Sequence, residues 1–136
     1  MRRSPVEEGR RWLEQAREDL KWARRLREEG GYYLACFLAQ QVAEKALKAL
    51  LYANGESLVL GHSVEELGGN VTNYAPHLKD QVRSWAVLDG YYIPTRYPNG
   101  LPASIPARVY SEAAAEEAVR LAEEVVNTMS GLIDAI

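Results

Sequence analysis

Apolar side chains recur at three- and four-residue intervals over most of the chain, which is the period of an α-helix with one buried face. In the first segment this repeat falls on Leu13, Ala16, Leu20 and Ala23, with Arg27 at the next position of the same stripe, and is widened by Trp12 and Leu26. Ser4 and Pro5 supply an N-cap and a first helical residue, while Gly30-Gly31 provides a stop. The pattern therefore predicts a first helix over Pro5–Glu28.

Two further helices follow in the first half of the chain. The second is rich in alanine and leucine and is predicted from Tyr32 to Asn54, where Asn54-Gly55 ends it. The third is short. Ser63 and Glu66 form a capping box at its start, and it is predicted to end at Gly68-Gly69.

The second half of the chain contains two helical segments separated by a long loop. A fourth helix is predicted from about Ala75-Pro76 through Leu88. Prolines then stand at every fourth position from Pro94 to Pro106, which excludes a regular helix across Ile93–Ala107. The last helix is predicted from Ser111 to the end of the chain, with a buried stripe at Ala115, Ala118, Ala122, Val125, Met129, Leu132 and Ile136.

These elements predict one all-α domain over residues 1–136, an antiparallel up-and-down bundle of four to five helices with a long Pro-rich loop before the last helix. Only Ser57–Leu60 resembles a strand, and it is too short to start a sheet. Residues 1–30 carry nine basic and seven acidic side chains, whereas residues 110–136 carry one arginine and six acids. The first and last helices would therefore attract each other if they lie side by side.

Composition narrows the class of protein. The chain has 136 residues, of which 47% are hydrophobic and 26% are charged, and this composition is typical of one globular domain. Its net charge of -3 argues against a protein that binds nucleic acids in general. No apolar run is long enough to cross a membrane and no secretory signal is recognisable, so a cytoplasmic location is expected. Neither histidine, His62 or His77, has a second ligand at metal spacing, so no metal or cofactor is predicted.

Polar side chains interrupt the apolar face of the second helix. Gln40 and Glu44 share this face with Tyr33, Phe37, Leu47 and Leu51, and Gln41, Lys45 and Lys48 lie on the adjacent face. One interpretation is a solvated side in which Lys45 pairs with Gln41 or Glu44. The other is that Gln40 and Glu44 are buried or at an interface, where they would need partners such as an arginine or tyrosine of the long loop.

The long loop, Asp89–Val109, carries the second candidate surface. Three tyrosines surround Arg96, two of them being Tyr92 and Tyr97. This combination suits a protein interface, a structural clamp across one end of the bundle, or stacking on bases with phosphate held by the guanidinium. The ligand-binding interpretation requires the loop to fold back onto the second helix. The candidate ligand-binding or interface residues are Gln40, Gln41, Glu44, Lys45, Lys48, Tyr92, Arg96 and Tyr97, and no catalytic residue is predicted.

The sequence resembles the HEPN domain family over nearly its whole length. The resemblance is carried by YLACFLAQQVAEKALKA over residues 33–49, then by Gly61-His62, and then by YIPTRYP over residues 92–98. It implies a helical bundle that commonly dimerises. It also implies a partner, because prokaryotic members are often encoded beside a minimal nucleotidyltransferase, in pairs that behave as toxin and antitoxin.

The family motif for catalysis is missing. Many HEPN proteins are metal-independent endoribonucleases that use an arginine, then four to six intervening residues and then a histidine, but Leu101, Pro102 and Ala103 stand where Arg96 would need the histidine. The resemblance therefore implies a non-catalytic homodimeric module that binds a nucleotide or RNA and pairs with a nucleotidyltransferase. The alternative is an endoribonuclease toxin in which Arg96 works with a histidine from outside the motif, His62 being the candidate.

Overall fold

A computed structural model describes residues 3–136, and it confirms the all-α class. Six α-helices and no strand occur within that range: α1 (Pro5–Glu28), α2 (Tyr32–Ala53), α3 (Val64–Val71), α4 (Lys79–Trp85), α5 (Pro106–Val109) and α6 (Glu112–Asp134). Three short 3-10 turns, Pro76–Leu78, Ala86–Tyr91 and Pro98–Gly100, complete the list. None of the helices between residues 3 and 136 has the length and hydropathy to cross a membrane.

Local capping chemistry places the ends of the long helices. Ser4 accepts a hydrogen bond from the Glu7 N–H at 3.1 Å, and Ser111 accepts one from the Ala114 N–H at 3.1 Å. Each serine thereby satisfies a backbone donor that has no partner inside its helix. The predicted bounds of α1 are confirmed, and α2 ends one residue before the predicted Asn54.

The predicted end of α3 at Gly68-Gly69 is wrong, because the helix continues to Val71. A Cβ atom built on Gly68 would lie 2.5 Å from Cγ1 of Val82. The glycine thus allows α3 and α4 to pack closely, and this contact outweighs the low helix propensity of glycine.

The fourth helix is also shorter than predicted. Regular α-helix covers only Lys79–Trp85, with a 3-10 turn on each side, and the second of these turns carries the chain to Tyr91. The loop that follows contains a four-residue helix, α5, which Pro106 opens at its first helical position. Residues 92–105 are otherwise turns and extended chain.

The core forms around α2, which packs against α1, α6 and α3. Many of its buried positions are alanines, which lets these helices approach closely. The predicted stripe of α6 is buried from Ala115 to Met129, but Leu132 is only partly buried, Ile136 is 59% exposed and Ile133 is buried instead. The helix ends at Asp134, so Ile136 no longer follows the helical period.

Ion pairs join α1 to α6, as the charge distribution predicts. Arg10 and Asp134 are 3.0 Å apart, and Arg24 and Glu123 are 2.7 Å apart. Both pairs are open to solvent, so each adds little to stability. The two ion pairs favour the packing of α1 beside α6.

The buried thiol of Cys36 makes stability depend on alkaline pH. Burial raises the pKa of Cys36 to about 11. The unfolded thiol ionises near pH 8.5, so the unfolded state loses its proton first and stability falls as pH rises towards the folded value. We expect a loss of about 2 kcal/mol between pH 7 and about pH 10.5, measured by urea unfolding. The Cys36→Ala variant should lose less stability over this pH range. An equal loss in the variant and in the unsubstituted protein would contradict the assignment of the effect to the Cys36 thiol.

Candidate functional site

Gln40 lies at the centre of a buried polar network. Its side chain is fully buried, its Nε2 donates to the backbone oxygen of His62 at 2.7 Å, and its Oε1 accepts from Gln41 at 2.7 Å. Nε2 also lies 3.4 Å from Oδ1 of Asp89. The interpretation as a buried group is confirmed. Its partners, however, are not an arginine or tyrosine of the loop but the segment before α3 and Asp89.

Asp89 fixes the start of the loop against α3. Its carboxylate accepts from the backbone N–H of Val64 at 2.7 Å, from that of Glu65 at 3.0 Å and from the Ser63 hydroxyl at 3.1 Å. A carboxylate at this position meets backbone donors that the helix leaves unpaired, and the helix dipole favours its charge. Asp89 therefore holds both α3 and the adjoining His62 in place.

Glu44 and Lys48 form a buried ion pair beside this network. They are 5% and 6% exposed, and Oε2 of Glu44 lies 3.3 Å from Nζ of Lys48. Oε1 of Glu44 lies 3.1 Å from Nδ1 of His62, whose side chain is 60% exposed. Because a carboxylate only accepts hydrogen bonds, Nδ1 is the donor, and Nε2 is the nitrogen that can meet a ligand.

The loop folds back onto α2 through stacked aromatic rings. Tyr92 stacks on His62 with centroids 5.2 Å apart and planes at 19°. The guanidinium carbon of Arg96 lies 4.5 Å from the ring centroid of Tyr92, 5.0 Å from that of Phe37 and 5.5 Å from that of Tyr97. Arg96 also donates from Nε to the Tyr92 carbonyl at 2.7 Å. We call Phe37, His62, Tyr92, Arg96 and Tyr97 the ring cluster.

The two predicted lysines lie farther along α2. Lys45 pairs with Asp19 of α1, and not with Gln41 or Glu44. Nζ of Lys48 lies 5.8 Å from the ring centroid of Trp12. The predicted residues are thus spread along α2, with Tyr92, Arg96 and Tyr97 at one end and the lysines at the other.

Comparison with known proteins decides the family. The model of the HEPN domain matches residues 10–132. The chain belongs to the HEPN family. A search of curated proteins finds no significant match.

Solved structures resemble this HEPN chain along nearly its whole length. TT1696 from Thermus thermophilus is 43% identical, with a TM-score of 0.85 over 91% of this chain and 97% of its own. ST0689, described as an archaeal HEPN homologue, is 36% identical, with a TM-score of 0.73 over 98% of this chain and 99% of its own. The HEPN domain protein tm0613 from Thermotoga maritima is 30% identical, with a TM-score of 0.68 over 93% and 99%.

A small cavity of about 190 Å³ opens in this HEPN domain beside the ring cluster, lined by His62, Ser63, Asp89 and Tyr92. Sequence reasoning did not include Asp89 or Phe37 in the candidate set, and it considered His62 only for the ribonuclease alternative. The sequence offered only local indications, since His62 precedes a capping serine and Asp89 is the first residue of the long loop. The contacts of His62 and Asp89 join segments that are 18 or more residues apart in sequence, and they follow only from the fold.

Proposed function

We propose that this HEPN protein is a non-catalytic cytoplasmic module that binds RNA or a nucleotide on the ring cluster. We further propose that it is a homodimer and pairs with a minimal nucleotidyltransferase in a toxin–antitoxin-like system. The observation that carries the binding proposal is the guanidinium of Arg96 lying against three aromatic rings, beside the exposed imidazole of His62.

The chemistry of the ring cluster suits a ribonucleotide. Bases stack on aromatic faces and on guanidinium planes, and arginine binds phosphate through paired N–H groups. The bond from Nε of Arg96 to the Tyr92 carbonyl leaves the terminal guanidinium nitrogens available for phosphate. The hydrogen bond and the rings restrict the arginine before binding, which lowers the entropic cost of association.

Exposed apolar side chains support the proposed homodimer. Ile93 of the loop is 57% exposed, and Leu34 in the first turn of α2 is 41% exposed. A second copy covering such side chains would remove apolar surface from water. Light scattering should give twice the chain mass of 15.2 kDa. A mass of 15.2 kDa at micromolar concentration would contradict the dimer.

A ribonuclease is the second candidate, because His62 and Arg96 contact the same ring, that of Tyr92. Glu44 orients His62 so that Nε2 could take the proton of a ribose 2′-hydroxyl while Arg96 steadies the phosphate. Incubation with single-stranded and structured RNA separates the two functions. Cleavage abolished by His62→Ala and by Arg96→Ala would favour the nuclease, and no cleavage by the intact protein favours the binding module.

Arg96→Ala should weaken RNA binding about tenfold or more. The substitution removes a stacking surface and a phosphate donor, which together contribute at least about 1.4 kcal/mol, the equivalent of a tenfold change in affinity. Fluorescence anisotropy with a labelled single-stranded RNA measures this loss. Arg108→Ala, which removes an exposed arginine of α5, is the matched control. Equal affinities of the two variants, or no binding by the intact protein, would contradict the proposal.

A further inference from the structure

One side of α2 stays partly exposed along the whole helix, although most of α2 is buried. We call this side the α2 stripe, and its members are Tyr33, Phe37, Gln41, Lys45 and Tyr52. Steps of four and seven residues keep them on one side of a helix. The ring cluster contains Phe37 and so covers one end of the stripe.

The far end of the stripe carries a second aromatic group. Trp12 of α1 stacks on Tyr52, with ring centroids 5.2 Å apart and planes at 28°. Nζ of the buried Lys48 lies 5.8 Å from the same indole centroid. Aromatic surface therefore occurs at both ends of the α2 stripe, whereas Lys48 itself is buried and paired with Glu44.

Cavities lie beside this second aromatic group. One of about 290 Å³ is lined by Arg11, Trp12, Gln15 and Lys45. Another of about 850 Å³ is lined in part by Arg3, Arg11, Trp12 and Tyr52, together with the acidic residues Glu8 and Glu56. Trp12 borders both cavities, and Tyr52 borders the second one.

Arg11 is the exposed cation on this path. It pairs with Glu8 at 2.6 Å, and its side chain is 55% exposed. An ion pair of this kind contributes about 1 kcal/mol or less, so a phosphate can replace the Glu8 carboxylate at little cost. Lys45 pairs with Asp19 at a position that is only 25% exposed, and it adds positive charge beside the path.

We propose that a single strand of RNA runs along the α2 stripe, from Arg96 in the ring cluster to the Trp12–Tyr52 pair. This inference rests on the proposed function and names its ligand class. Phe37 and Tyr52 are about 22 Å apart along the helix at 1.5 Å per residue. A stacked strand rises about 3.4 Å per nucleotide, so about seven nucleotides connect the two ends. The ligand is therefore an oligonucleotide, and its bases are unpaired because both ends bind by stacking.

The length dependence of affinity tests this path. Fluorescence anisotropy would compare labelled oligoadenylates of three and ten nucleotides, and the longer one should bind about tenfold more tightly. The double variant Arg11→Gln and Lys45→Gln should weaken the ten-nucleotide RNA about tenfold and the three-nucleotide RNA less than about twofold. Lys21→Gln with Arg25→Gln, which removes two cations from other exposed ion pairs of α1, is the matched control.

The outcomes distinguish an RNA path along the α2 stripe from RNA binding at the ring cluster alone. Equal binding of the two lengths, or no effect of the Arg11 and Lys45 substitutions, would overturn the path. If Arg96→Ala still weakens the short RNA in that case, the ring cluster remains a binding site. If the intact protein binds neither RNA, the proposed function and the path both fail.

Discussion

Glu44→Ala should lower the free energy of unfolding by about 3–5 kcal/mol. The substitution leaves the ammonium of Lys48 without its counterion at a position that is 6% exposed, and it removes the hydrogen-bond partner of His62. An uncompensated buried charge costs far more than the pair itself contributes. Urea unfolding followed by circular dichroism measures the difference.

Two further variants show whether the unpaired buried charge of Lys48 causes the loss of stability in Glu44→Ala. Glu44→Leu combined with Lys48→Met removes both charges and should recover most of the lost stability. Glu117→Ala breaks the exposed pair with Arg120 on α6 and should cost less than about 1 kcal/mol. A loss for Glu44→Ala as small as that for Glu117→Ala would contradict the assignment of a buried ion pair.

Asp89→Ala should destabilise the protein by about 2–4 kcal/mol and weaken RNA binding as well. It removes the acceptor for the first N–H groups of α3, for Ser63 and for the buried amide of Gln40. Loss of a helix cap and of charge-assisted hydrogen bonds has this magnitude. Because Asp89 also anchors the loop that carries Tyr92 and Arg96, its loss should disorder the ring cluster.

The control for Asp89 is another acidic residue near a helix start. Asp80 is exposed in the first turn of α4, so Asp80→Ala should cost less than about 1 kcal/mol and leave RNA binding unchanged. Asp89→Asn retains one acceptor oxygen, so its loss of stability should lie between those of Asp80→Ala and Asp89→Ala. Unchanged stability and RNA affinity in Asp89→Ala would show that the loop does not depend on this carboxylate.

The bounds of the long helices could be predicted from the sequence because the deciding chemistry is local. Ser4 and Ser111 cap helices whose first residues are their neighbours in sequence. The third helix shows the limit of this reasoning, since glycine is a local breaker but α3 continues through Gly68 because of Val82, which belongs to another helix.

The site was only partly predictable for the same reason. The sequence indicates that Gln40 and Glu44 interrupt an apolar face, and the fold buries both. Their partners His62 and Asp89 belong to segments that are distant in sequence. One of these partners is the backbone carbonyl of His62, and a backbone group has no signature in the sequence. The alternative of a solvated helix side fails because α3 and the start of the loop cover this face.

The most direct test of the central claim, that the ring cluster binds RNA, is an NMR titration of the protein with a ten-nucleotide single-stranded RNA. We expect the largest chemical-shift changes at the backbone of residues 91–97 and at the side chains of Phe37, His62 and Arg96. Changes confined to the exposed surface around Trp22 of α1, or none at saturating RNA, would contradict the account.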